Sequence, residues 1–111
     1  MIAQAKQLEK QIPLLLRLLE NALRSGYNVQ QSFQLATEEL SFLAQEDVKQ
    51  VVADFKAGKP FQTVLSDWLD HAPSADLDLL VATIRVQMEV GGNLADKLNL
   101  LGQILEKRTL N

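Results

Sequence analysis

Residues 77–98 read LDLLVATIRVQMEVGGNLADKL, in which two apolar helical repeats meet at a pair of glycines. Apolar residues recur every three or four positions before and after the glycines: Leu77, Leu80, Val81, Ile84 and Met88, then Leu94 and Leu98. Gly91 and Gly92 predict the end of one helix, because glycine adopts the left-handed backbone of a helix C-terminus. Asn93 predicts the start of the next, because its side chain can accept from a first-turn N–H. The stretch therefore predicts two helices joined by a tight corner.

The predicted helix before this corner has a second apolar face, formed by Leu79, Val86 and Val90. A helix that is apolar on two sides is expected to be buried by its neighbours. We therefore predict that this helix lies at the centre of the packing.

Two similar corners occur earlier in the chain. Their glycines are Gly26 and Gly58, so that Gly26, Gly58 and Gly91 are 32 and 33 residues apart, a spacing close to that of helical-hairpin repeats. Three tight corners predict an all-α fold, a six-helix bundle made of three antiparallel helical hairpins. The other predicted helices carry apolar stripes: Leu8, Ile12, Leu15, Leu19 and Ala22; Val29, Phe33, Ala36 and Leu40; Val48, Val51, Val52 and Phe55; Phe61, Val64, Leu65, Trp68 and Leu69; Leu101 and Leu105.

The residues after the first two glycines favour helix starts. Asn28 is a preferred N-cap, and Gln31 stands where a capping-box partner reaches back to the cap. Pro60 suits the first turn of a helix, where its missing N–H would have had no partner.

Size and composition exclude several classes of protein. The 111 residues fit one domain, for which we predict a polar lead-in helix or linker over residues 1–12 and a single helical domain over residues 13–111. The chain has no cysteine, which excludes disulfides, thiolate metal sites and cysteine nucleophiles. Its net charge of −3 disfavours nucleic acid as a partner. No stretch approaches the roughly 20 apolar residues of a membrane span, so this chain is expected to be soluble.

No catalytic residue, cofactor or metal site is predicted. His71 is the single histidine, and Asp67 lies one helical turn before it, but a metal needs further ligands at the same point. The alternative is a histidine placed near a helix C-terminus, where the dipole favours positive charge. A small acid–base or metal enzyme around these two residues stays open, and stoichiometric metal in the purified protein would reveal it.

Three parts of the sequence resemble, in their order, the opening hairpin, the helix before the closing motif and the closing motif of the type II secretion system F family: residues 18–29, residues 76–87, and residues 89–98 with 105–108. The resemblance runs from about Pro13 to Arg108, and the double glycine followed by asparagine is most similar to the Tad pilus branch. The site residues that it implies are the corner positions Gly26, Asn28, Gly58, Pro60, Glu89, Gly91, Gly92, Asn93, Leu94 and Leu98.

The resemblance implies a non-enzymatic scaffold domain of an inner-membrane platform protein in type II secretion or in Tad or type IV pilus assembly. Such a domain lies on the cytoplasmic face of the bacterial inner membrane, anchored through segments absent from this chain. It implies an assembly ATPase and other platform subunits as partners, and association of two copies through an apolar stripe is compatible with it.

Exposed polar residues are candidates for these partner contacts. The candidates are Glu38, Glu39, Glu46, Asp47 and Lys49. An ordinary solvated surface explains each of them equally well. The alternative for the whole chain is a freestanding helical-repeat interaction module of the TPR or HEAT kind, although the TPR aromatic signature is missing.

Overall fold

The structure is a computed structural model that describes the backbone of residues 2–110 and the side chains of residues 8–108. Over the described backbone it forms six α-helices and no strand. The helices are α1 (Ile2–Arg24), α2 (Val29–Thr37), α3 (Phe42–Lys56), α4 (Phe61–His71), α5 (Ala75–Val90) and α6 (Leu94–Leu110). The predicted all-α class and the number of helices are confirmed, and the helices joined by each glycine corner pack against each other.

The corners have the predicted local chemistry. Gly26, Gly58 and Gly91 have positive φ angles of 99°, 84° and 76°. Asn28 and Gln31 form a reciprocal cap at the start of α2: the Gln31 N–H donates to Asn28 Oδ1 at 2.8 Å, and the Asn28 N–H donates to Gln31 Oε1 at 3.0 Å. These local bonds fix where the helices begin, because they satisfy N–H groups that have no partner inside the helix.

The prediction that α5 lies at the centre of the packing is wrong, because α1 holds that place. α1 packs against α2, α3, α5 and α6, and it buries Leu16 and Glu20 in addition to its predicted stripe. The second apolar face of α5 points away from the core, and Val90 on it is 74% exposed. None of the helices that the structure describes covers that face, because among them α5 packs against α1, α4 and α6.

An aromatic cluster joins α2, α3 and α4. The ring of Phe33 lies 5.9 Å from that of Phe55 and 5.6 Å, edge to face, from that of Trp68. Phe55 also stacks on Phe61 at 5.1 Å. Aromatic pairs at these separations contribute roughly 0.5–1.5 kcal/mol beyond their burial. The cluster therefore fixes α4 relative to α3, and its Trp68 also lines the cleft described below.

The division predicted between residues 1–12 and 13–111 falls inside α1, which continues through Pro13 without a break. Leu8 and Ile12 on the lead-in side are buried in the core. As a domain boundary, the division stays a prediction.

Candidate functional site

The first and third corners meet in space. Leu23 and Arg24 at the end of α1 share a shallow depression with Gly92, Asn93 and Leu94 at the start of α6. The Asp96 N–H donates to Asn93 Oδ1 at 3.1 Å, so that Asn93 caps α6 as predicted. Two segments that carry the family resemblance, far apart in sequence, thus form one surface.

A polar network below this surface ties α1 to α6. The carboxylate of Glu20, a residue only 9% exposed, accepts from Arg24 Nε at 2.9 Å and from Asn99 Nδ2 at 3.1 and 3.2 Å. Arg24 also donates to Asp96 Oδ1 at 2.9 Å. The hydrogen bond to Glu20, and then that to Asp96, raises the pKa of Arg24. Sequence reasoning missed this network, although Glu20 and Arg24 have the spacing of an i,i+4 ion pair.

The second corner lies apart from the other two and joins α3 to α4. Between Gly58 and Pro60, the Lys59 ammonium extends over the adjacent cleft, with Nζ 3.6 Å from Asp54 Oδ2 and 3.4 Å from Asp67 Oδ2. The hydrogen bond to Asp67, followed by the charge of Asp54, raises the pKa of Lys59. The three predicted corners therefore do not form one site.

The cleft between α3 and α4 has a volume of about 350 Å³. Its lining is Glu46, Asp47, Gln50, Val51, Asp54, Lys59, Val64, Asp67, Trp68 and His71. Asp47 Oδ2 and Trp68 Nε1 are buried and have no hydrogen-bond partner among the described residues, and burial raises the pKa of Asp47. We name this feature the acidic cleft.

His71 lies at the edge of the acidic cleft but does not pair with the Asp67 carboxylate. Its Nδ1 is 2.9 Å from the backbone oxygen of Asp67, to which it donates, while the Asp67 carboxylate contacts Lys59. Among the described residues, no group of three or more histidine or acidic side chains is placed to hold a metal ion.

The five candidate contact residues lie on two sides of α3. Glu46 and Asp47 line the acidic cleft, whereas Glu38 and Lys49 line a groove of about 330 Å³ between α2 and α3. Glu39 is exposed in the turn between α2 and α3. The structure therefore does not gather the five into a single patch.

Sequence reasoning missed the most exposed apolar residue of α3. Phe42, the first residue of α3, is 72% exposed. The sequence indicates this exposure in one way, because Phe42 lies outside the apolar stripe that begins at Val48. Other exposed apolar side chains lie mostly on α5 and α6, and Met88 is the one among them that the predicted core stripe included. They are Leu79, Val86, Met88, Val90, Leu100 and Ile104, with Tyr27 at the first corner, Leu35 on α2 and Leu43 on α3.

Within the described part of the chain, no helix has both the length and the hydropathy needed to cross a membrane. Comparison with curated proteins and with solved structures gave no match. The family model of type II secretion system protein F matches residues 15–111, a range that holds all three glycine corners and the network between α1 and α6. This range is most of the chain, which therefore belongs to the family of type II secretion system protein F.

Proposed function

We propose that this chain is a cytoplasmic, non-catalytic scaffold domain of an inner-membrane platform protein and relays motion from an assembly ATPase of a secretion or pilus machine. Family membership supports the platform role. The observation that carries the scaffold role is the network of Glu20, Arg24, Asp96 and Asn99, which connects two corners across the bundle.

Rigidity is the property that such a relay requires. Close-packed helices transmit displacement because their side chains leave few voids into which they could yield. α1 contacts four helices, and the buried Glu20 carboxylate connects it to α6 through directional bonds. A push on α3 would therefore move α1 and α6 with it.

The solvent-facing side of α3 is the surface that we assign to the ATPase. Phe42, Glu46 and Lys49 are four and three residues apart and all three are exposed, so they form the outer ridge of α3 between the acidic cleft, which Glu46 borders, and the groove with α2, which Lys49 borders. An exposed aromatic residue with charged neighbours resembles the anchor of a protein interface, where few residues supply most of the affinity. The predicted contacts Glu38, Glu39 and Asp47 flank this side.

Binding of an assembly ATPase from the secretion or pilus machine of the same organism tests the proposal. Phe42→Ala is expected to weaken binding of the purified ATPase by about tenfold, the effect of truncating an interface anchor. Leu100→Ala is the matched control, because Leu100 is a half-exposed apolar residue on α6. Absence of binding by the wild-type chain, or equal weakening by both variants with unchanged Tm, would contradict the assignment.

The complete open reading frame tests the membrane part. A platform protein requires flanking apolar segments of about 20 residues, which a freestanding repeat module lacks. We place the chain in the Tad-type branch on its double glycine followed by Asn93, and neighbouring genes for a pilin and an assembly ATPase would support this. Association of two copies stays a prediction, and measuring the molecular mass of the chain in solution tests it.

A further inference from the structure

The acidic cleft concentrates the negative charge of the molecule. Of the residues that the structure describes, four carboxylates line it, those of Glu46, Asp47, Asp54 and Asp67, together with the ammonium of Lys59. With His71 neutral, these groups carry a formal charge of −3, which equals the net charge of the whole chain. A concave surface with this charge attracts cations more strongly than the rest of the protein does.

Lys59 neutralises the cleft only loosely. Its Nζ lies 3.6 Å from Asp54 and 3.4 Å from Asp67, whereas charge-assisted N–H···O bonds are normally about 2.7–2.9 Å long. Its side chain is about half exposed, so it can leave the cleft for solvent. A planar guanidinium has five donors in a rigid fork that matches carboxylate geometry, so it can donate to both carboxylates at once.

The buried indole of Trp68 requires a hydrogen-bond acceptor, which is a requirement independent of charge. Trp68 lines the cleft and is only 3% exposed, yet no described residue supplies an acceptor for its Nε1–H. Asp47 Oδ2 is likewise buried and has no donor within residues 8–108, whose side chains the structure describes. Buried polar groups are almost always hydrogen-bonded, so these two atoms point to a ligand that supplies both a donor and an acceptor. A bare cation satisfies the carboxylate but offers nothing to the indole N–H.

We propose that the acidic cleft binds a basic residue, preferentially arginine, in a peptide segment of a partner protein. The guanidinium takes the place of the Lys59 ammonium between Asp54 and Asp67, and a peptide carbonyl accepts from Trp68 Nε1. The volume of about 350 Å³ accommodates an arginine side chain. The inference rests on the proposed function for the source of the partner, a component of the secretion machine, whereas the chemistry of the cleft stands on its own residues.

The probe is a blocked peptide, acetyl-Gly-Arg-Gly-amide, titrated into the ¹⁵N-labelled chain at physiological ionic strength. Trp68 is the only tryptophan of the chain, so a single indole N–H resonance reports on the cleft without assignment. We expect this resonance to move in a saturable manner. The same peptide with citrulline in place of arginine keeps the shape without the charge and should leave the resonance in place. No movement with the arginine peptide, or equal movement with both, overturns the proposal.

Two pairs of variants locate the binding. Asp67→Asn should weaken peptide binding by about fivefold, and Asp70→Asn, on the same helix but outside the cleft lining, should change it little. Lys59→Gln should tighten binding by about two- to fivefold, because it removes the competing ammonium, and Lys56→Gln is its control outside the cleft. Equal effects within either pair would indicate attraction by net charge alone and overturn the assigned site.

This titration contains no ATPase, so the two proposals fail separately. Loss of the peptide response with retained Phe42-dependent binding of the ATPase overturns the cleft assignment alone. A specific peptide response in a chain that binds no ATPase overturns the proposed function and leaves the cleft as a binding site for arginine.

Discussion

Replacing Gly91 by alanine is expected to destabilise the chain through its backbone alone. Gly91 ends α5 with φ 76° and ψ −167°, a region that is essentially restricted to glycine and costs other residues roughly 1–3 kcal/mol. A Cβ atom built on Gly91 meets nothing within 4 Å, so steric contact adds nothing to this cost. The residue is held in place, because its N–H donates to Gln87 O at 2.8 Å and its carbonyl accepts from Gln87 Nε2 at 2.7 Å.

The expected effect is large enough for a thermal melt. For a chain of this size, 1 kcal/mol corresponds to about 4 °C, so Gly91→Ala should lower Tm by roughly 4–12 °C. Gly102→Ala is the matched control, because Gly102 lies within α6, where a Cβ would be at an ordinary 4.0 Å from Leu16 Cδ1. It should raise stability by about 0.5–1 kcal/mol, the helix preference of alanine over glycine. A Tm of Gly91→Ala within about 1 °C of wild type, or a fall shared by both variants, would refute the backbone explanation.

Three further substitutions test the caps, the network and the buried acid. Asn28→Ala should cost about 1 kcal/mol in urea unfolding, whereas Ser41→Ala should cost little, because the Ser41 side chain makes no cap bond. Glu20→Ala should lower the free energy of unfolding by about 1 kcal/mol, because Arg24 and Asn99 lose their shared acceptor, and an unchanged urea midpoint would contradict that role. Asp47→Asn should raise Tm at neutral pH, because burial raises the pKa of Asp47 in the folded chain. The protonated carboxyl contributes favourably to the free energy of unfolding below the ordinary pKa of 3.8, and this contribution is lost as the pH rises through the pKa of the folded chain. An advantage of the variant that persists below pH 3.8 would contradict this cause.

The features that could be predicted from sequence are those fixed by neighbouring residues. The reciprocal cap of Asn28 and Gln31 spans three positions, and the helix ends at Gly26 and Gly91 depend on one backbone angle each. Such chemistry is the same whatever the chain does elsewhere. Apolar spacing is also local, which is why nearly all of the predicted stripe residues are buried or half-buried.

The features that could not be predicted depend on which helices become neighbours. Glu20 and Asn99 are separated by 79 positions, and only the contact of α1 with α6 makes them partners. The acidic cleft likewise combines Asp54 of α3 with Asp67 of α4, and each alone is an unremarkable acidic residue on a helix. A pattern confined to one helix contains no information about such pairs.

Helix length explains why α1, and not α5 as predicted, lies at the centre of the bundle. A helix of 23 residues is about 35 Å long, and α1 therefore matches the 36 Å longest extent of the molecule. The 16 residues of α5 cover about 24 Å, so α5 cannot contact every layer even if all of its surface is apolar. Two apolar faces indicate burial only when the chain supplies a further layer, and no described helix remains to cover Leu79, Val86 and Val90. In a bundle of this size, the helix with the longest continuous apolar stripe, rather than the most apolar helix, is the one expected at the centre of the packing.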